Sequence, residues 1–169
     1  YKMKVYHGSL DAVINPVIKE PTRTLDYGSG FYVTTSVKQA ERWVLRKLDA
    51  SHPVGWVNVY EWDERKTDGL QIQNFGVPDE KWLDFVMSNR TDMNYMHNYD
   101  IVWGPVADDR VYAAFALYEQ GFLDKRALIN ELRAYKLVDQ ILFHTEKSLK
   151  TLKYIDKIEV QYDTTNNKR

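Results

Sequence analysis

Apolar and polar positions alternate along the first residues of the chain. They predict a short strand over residues 2–7 (KMKVYH), stopped by Gly8 and Ser9. Pro16 and Pro21 make residues 15–24 an irregular connection, and residues 26–30 (DYGSG) a turn. A β-rich run follows at 31–35 (FYVTT). Ser36 with Gln39 three residues on marks a helix start, and Ala40, Trp43, Val44 and Leu48 recur on its buried face. Strands are expected at 56–62 (WVNVYEW), 70–75, 100–103, 139–145 (DQILFHT) and 154–162. Helices are expected at 78–89, 107–120 and 124–135, with a short one from Glu146. Gly121 separates the last two long helices. Strands lie early, in the middle and late, without a regular βαβ repeat, so the fold class is α+β.

Composition narrows this only in part. The 169 residues suit one domain, residues 1–163, followed by a flexible tail at 164–169 (TTNNKR) with no apolar residue. A 44% hydrophobic fraction supports a core without covalent staples. Zero cysteines exclude disulfides, thiolate zinc sites and cysteine catalysis. The 23 basic and 24 acidic residues give a net charge of −1, which argues against a globally basic nucleic-acid binder. Recognition of nucleic acid through surface aromatics such as Trp56, Tyr60 and Trp62 stays as a minor reading. No apolar run reaches membrane-span length and no charged-then-apolar leader is present, so the expectation is a cytoplasmic protein with no membrane partner.

Several motifs carry little. Gly28-Ser29-Gly30 lacks a third glycine and precedes a strand, so it is a turn and not a dinucleotide loop. His7, His52, His97 and His144 are scattered, and no metal site is expected. Asp108 and Asp109 stand where acids complement a helix dipole.

Three strand segments remain. In the first, Val5 and His7 share a face, and Gly8 lets a ligand approach the backbone. In the second, Tyr32 and Thr34 share a face. In the third, Gln140, Leu142 and His144 lie together, a side more polar than burial requires. Gln140 and His144 stand about 13 Å apart at ~3.3 Å per residue, so they can flank an extended ligand but not one small group.

Residues 5–9 (VYHGS), 28–35, 82–90 (WLDFVMSNR), 99–111 (YDIVWGPVADDRV) and 140–148 (QILFHTEKS) resemble a bacterial family of unknown function placed in the ADP-ribosyltransferase superfamily. Its genes are often found in toxin–antitoxin-like pairs beside a small partner protein. The resemblance covers nearly the whole chain, from about Met3 to Ile155, and its 99–111 and 140–148 segments are the distinctive ones. It implies a split, strongly bent β-sheet core with helices around an NAD cleft. It also implies a His-Tyr-Gln site at His7, Tyr32 and Gln140. His7 would bind ribose hydroxyls of the adenosine side, Gly8 the nicotinamide carboxamide, and Tyr32 the cationic ring, with Ser9 and Thr34 as secondary hydroxyls. Arg90 and Arg110 are the candidates for pyrophosphate, or else form salt bridges.

The activity implied is NAD-dependent mono-ADP-ribosyl transfer to a protein or nucleic acid by a toxin held by a small antitoxin. NAD would be the co-substrate, and no metal is needed. NAD glycohydrolysis and a non-catalytic NAD- or partner-binding module are the alternatives. Gln140 departs from the commoner glutamate: an amide orients a ribose hydroxyl but is neither charge nor base. Any base must then come from elsewhere, with His144, Glu146 and Asp109 as the sequence candidates.

Overall fold

The computed structural model describes residues 2–20 and 23–163. The expected tail at 164–169 lies outside these, as do Pro21 and Thr22 of the expected irregular connection. Among the described residues the chain is mixed α+β, with five α-helices and two sheets. In chain order the elements are β1 (Lys2–Ser9), β2 (Phe31–Val33), α1 (Val37–Lys47), β3 (Val54–Asp63), β4 (Ile72–Asn74) and α2 (Glu80–Thr91). They continue with β5 (Ile101–Pro105), α3 (Asp109–Glu119), α4 (Lys125–Ala134), β6 (Asp139–Phe143), α5 (Glu146–Leu149) and β7 (Leu152–Gln161).

One sheet has the order β1-β3-β7 and the other β2-β6-β5-β4; β4 and β5 run parallel and the remaining pairs antiparallel. Among the described residues one isolated backbone bridge joins the sheets, in which Tyr6 N donates to the Thr34 carbonyl at 2.8 Å and Thr34 N to that of Tyr6 at 2.9 Å. Apolar alternation builds what lies on either side. Val5, Phe31, Val33, Tyr60, Trp62, Ile101, Ile141 and Phe143 form the core that joins the two sheets. Val102 and Leu142 face the other way and bury against α2, α3 and α4 through Trp82, Leu83, Val86, Val111, Phe115, Leu128 and Leu132. Helix α1 covers the outer face of the first sheet with Ala40, Val44 and Leu48 on Val57 and Val160.

The helix starts follow from capping chemistry. Ser36, Asp79, Asp108, Asp124 and Thr145 each accept a backbone N–H of the first turn of the helix they precede. Asp108 and Asp109 thus serve a helix start, as their placement in the sequence implied.

Most element bounds shift by one to two residues from the sequence expectation, and two of the differences bear on the joint between the sheets. β1 does not stop at Gly8: Gly8 and Ser9 continue the ladder opposite Val57 and Trp56. The physical reason is α1, which lies directly over this strand. A Cβ on Gly8 would press into the Ala40 carbonyl and approach Val44 Cγ2 to 3.0 Å. The run expected at 31–35 ends at Val33, because Thr34 Oγ1 accepts from Ser36 N and turns the chain into α1. Gly30 precedes β2 with φ +147°, packed so tightly on β6 that a side chain would meet the Phe143 carbonyl.

Gly8→Ala is therefore expected to destabilise the protein by about 1–3 kcal/mol through forced displacement of α1. Urea denaturation checks this; an unchanged midpoint would mean that α1 does not rest on this strand.

Candidate functional site

The divergence of the two sheets beyond the Tyr6–Thr34 bridge leaves a cleft of about 1050 Å³. His7, Gly8 and Ser9 of β1, Tyr32 of β2 and Gln140 of β6 all line it. Its wall is completed by the segment from Asp11 to Lys19, which Asn58 anchors. Asn58 Oδ1 accepts from Val13 N at 2.8 Å, and Nδ2 donates to the carbonyls of Asp11 at 3.1 Å and His7 at 3.3 Å. Tyr60 donates its hydroxyl to the Val13 carbonyl.

His7 has a defined tautomer. Its Nδ1 lies 2.6 Å from the Tyr32 carbonyl, which can only accept, so Nδ1 carries the proton and Nε2 is left as an acceptor. Its ring packs on Phe31 at 4.2 Å between centroids. Burial pushes the imidazole down to about 4, against the bond to Tyr32 that raises it; Lys47 and Lys19 lower it further. His7 is neutral at physiological pH.

Gly8 serves the cleft through its backbone edge. Tyr6 directs both of its backbone groups to Thr34, and strand alternation turns those of Gly8 to the same side, where β2 has diverged and is not paired to β1. Lys47 Nζ approaches the Gly8 carbonyl at 3.4 Å. Ser9 Oγ accepts from the Asp11 amide at 3.1 Å and keeps its O–H as a donor.

Tyr32 and Gln140 share a face of the second sheet. The Tyr32 hydroxyl donates to the Gly28 carbonyl at 2.5 Å and accepts from Tyr27 N at 3.0 Å, so the ring is fixed at both ends. Gln140 is 4% exposed and its Nε2 donates to Asp26 Oδ2 at 3.3 Å and to the Pro105 carbonyl at 3.5 Å. Both partners accept, which leaves Oε1 as the acceptor for a ligand hydroxyl.

Thr34 and Arg110 are placed elsewhere. Thr34 is fully buried, and its hydroxyl donates to the Asp139 carbonyl at 2.8 Å while accepting from Ser36 N. Arg110 is paired with Asp108 at 2.8 Å, with its guanidinium over the Tyr135 ring, and does not line the cleft. Arg90 does line it, stacked over Tyr112 at 4.8 Å and 3.8 Å from Asp26. The other cations there are Lys19, Arg23, Arg46 and Lys47. Burial and then Arg23 push the Lys47 ammonium down, as does Lys19, while Asp11 holds it up.

Sequence reasoning missed Asp26. Its carboxyl is 12% exposed in the cleft, where it accepts from the Tyr112 hydroxyl and from Gln140. Burial pushes it above the usual carboxylate range, against Tyr112, Gln140, Arg90 and Arg23, which favour the charged form. An acid opening a DYGSG turn reads as turn chemistry, and no spacing links it to Gln140.

Of the sequence candidates for a base, only Asp109 lines the cleft, and there its side chain is 94% exposed. His144 donates Nδ1–H to the Ser29 carbonyl at 2.6 Å and packs its ring, tilted, against His97 at 4.3 Å, bracing the turn before β2. Tyr60 and Trp62, taken as surface aromatics, are core residues at 0% and 2% exposure. Alternation of β3 points both into the joint between the sheets, and Trp56 is covered by Lys157 at 4.3 Å. That burial corrects the placement of Tyr60 and Trp62, whereas Trp56 stays half-buried.

Fold and site together define an α+β domain with a polar cleft opened between two sheets. Residues 3–154 match the family described as "Protein of unknown function (DUF3990)", and the chain belongs to that family. No curated protein matches the sequence. Among the described residues, no helix is long and apolar enough to cross a membrane.

The neutral His7 makes a pH prediction. The folded form resists protonation down to about pH 4, whereas the unfolded chain takes up the proton near 6.5. Acidification through that window stabilises only the unfolded chain, so stability falls as pH drops from 6.5 to 4. His7→Asn is expected to lose less stability over the same interval; parallel wild-type and variant profiles in thermal melts would contradict the assignment.

Proposed function

We propose that the chain binds NAD⁺ in this cleft, cleaves the nicotinamide–ribose bond and transfers ADP-ribose to a macromolecule, on a core of ADP-ribosyltransferase type. One observation carries the reading: His7, Tyr32 and Gln140, far apart in sequence and borne by two sheets, line the same cleft. The resemblance in the sequence assigned these three residues to one dinucleotide site. The split between the sheets at the Tyr6–Thr34 bridge agrees with the bent, divided core that the resemblance implies.

The residues suit the parts of the ligand. Nε2 of neutral His7 accepts from a ribose hydroxyl, while the Gly8 edge offers an amide and a carbonyl to the carboxamide. The fixed Tyr32 ring offers a π face to the cationic nicotinamide. Lys47, Lys19, Arg23 and Arg46 supply the positive charge that a pyrophosphate needs, the role first given to Arg90 and Arg110. Gln140 Oε1 orients a ribose hydroxyl as positive charge develops at the anomeric carbon. Action as a cytoplasmic toxin restrained by a small partner protein belongs to this reading through the resemblance alone.

The test uses NAD⁺ labelled on its adenylate half, incubated with the protein and a bacterial lysate. Label held by a protein or nucleic acid, with release of nicotinamide, is the expected result. Nicotinamide release without labelled acceptor would make the protein a glycohydrolase. Calorimetric NAD⁺ binding without any release would make it a binding module, and no binding would refute the proposal. His7→Ala and Tyr32→Ala are each expected to weaken NAD⁺ binding about tenfold or more, a loss of ~1.4 kcal/mol. Gln140→Ala is expected to lower turnover about 10²-fold with little change in affinity. Equal turnover in wild type and Gln140→Ala would remove that residue from the mechanism.

A further inference from the structure

The uncharged Gln140 leaves a chemical gap in the proposed reaction, and the cleft contains a group that fills it. Asp26 precedes β2 and stands against β6, with Oδ2 3.3 Å from Gln140 Nε2. Its other oxygen accepts from the Tyr112 hydroxyl of α3. Arg90 of α2 holds its guanidinium 3.8 Å away. Two helices and a strand thus converge on one carboxylate that is nearly buried yet lines the cleft. A purely structural carboxylate has no need to face a ligand-sized cavity. The bases nominated from the sequence stand aside: His144 is held on Ser29, and Asp109 is a solvated rim residue.

We propose that Asp26 is a catalytic carboxylate of this cleft, taking the proton of a neutral hydroxyl, thiol or amide acceptor as ADP-ribose is transferred. The inference rests on the NAD⁺ reading of the same site. In the step, the C1′–N bond to nicotinamide breaks and its electron pair goes to the ring nitrogen. A lone pair of the acceptor heteroatom forms the new bond to C1′. The acceptor's proton passes to an Asp26 oxygen and from there to solvent. Nothing is oxidised or reduced, so no further reagent is required. Gln140 then holds the ribose and Asp26 supplies the charge, a division of labour between two neighbouring side chains.

The surroundings of Asp26 give the pH behaviour its sign. Arg90, Arg23, Tyr112 and Gln140 favour the carboxylate, whereas burial disfavours it. Activity is lost as pH falls and Asp26 is protonated. Tyr112→Phe removes a hydrogen bond to the charged form and moves that acid limb to higher pH.

The experiment compares nicotinamide release and NAD⁺ affinity in wild type, Asp26→Asn and Tyr112→Phe. Asp26→Asn keeps the shape of the side chain and is expected to lower turnover about 10²-fold or more while NAD⁺ affinity stays within about threefold. Wild-type turnover in Asp26→Asn overturns the inference and leaves the NAD⁺ reading intact. Loss of affinity in parallel with turnover assigns Asp26 to structure and also overturns it. Should Asp26→Asn not fold, the Tyr112→Phe profile decides: an acid limb displaced upward supports the inference, and an unmoved one overturns it. Absence of nicotinamide release from wild type defeats the underlying reading, and the inference falls with it.

Discussion

The two hydrogen bonds between Tyr6 and Thr34 fix how the halves of this molecule meet. At about 1 kcal/mol net for each bond, they do not hold two sheets together. That is done by burial of Phe31, Tyr60, Trp62, Ile141 and Phe143 in the joint, each contributing roughly 1.5–3 kcal/mol. The bridge instead sets the register. With Tyr6 opposite Thr34, His7 lands beside the Tyr32 carbonyl, and Gly8 and Ser9 stay paired to Val57 and Trp56 of β3 while β2 diverges from them. A one-residue slip would turn His7 away from the inner face and put Tyr6 in its place. The cleft is thus a consequence of where one strand stops being paired to its neighbour.

Charge in the cleft falls into two groups. Lys19, Arg23, Arg46 and Lys47 face the same space, and the Lys47 ammonium is lowered first by burial and then by Arg23 and Lys19. Asp26 is the most enclosed acid there, and its neighbours are donors: Tyr112, Gln140 and Arg90. A dianionic pyrophosphate would relieve the first group. Around the second, Tyr112, Gln140 and Arg90 favour the carboxylate, but burial outweighs them and holds Asp26 above the usual carboxylate range. Tyr27 stitches this arrangement to the helices, donating to the Pro105 carbonyl at 2.6 Å and accepting from Trp82 Nε1 at 2.8 Å.

Much of the architecture could be read in the chain because local signals agreed with tertiary ones. The helix at 37–47 announced itself by Ser36 and its apolar spacing, and β6 by the alternation that separates Gln140 and Leu142 from Ile141 and Phe143. Gly8 was read as letting a ligand approach the backbone, and it does line the cleft, but its missing side chain also makes room for α1. Periodicity gives no warning of which element will lie across a strand. Thr34 and Arg110 carried suitable groups, yet buried hydrogen bonds claim the hydroxyl and Asp108 the guanidinium. Asp26 and Asn58 were invisible for the opposite reason. Each does its work through partners at least 45 residues away in sequence, and neither sits in a pattern that points there.

The proposed chemistry requires a dinucleotide in the space between the sheets. A crystal structure of the protein with NAD⁺ tests that most directly. It is expected to place the nicotinamide ring on Tyr32, its carboxamide against the Gly8 backbone and the neighbouring ribose at Gln140. NAD⁺ bound on another surface, with this cleft unoccupied, would contradict it.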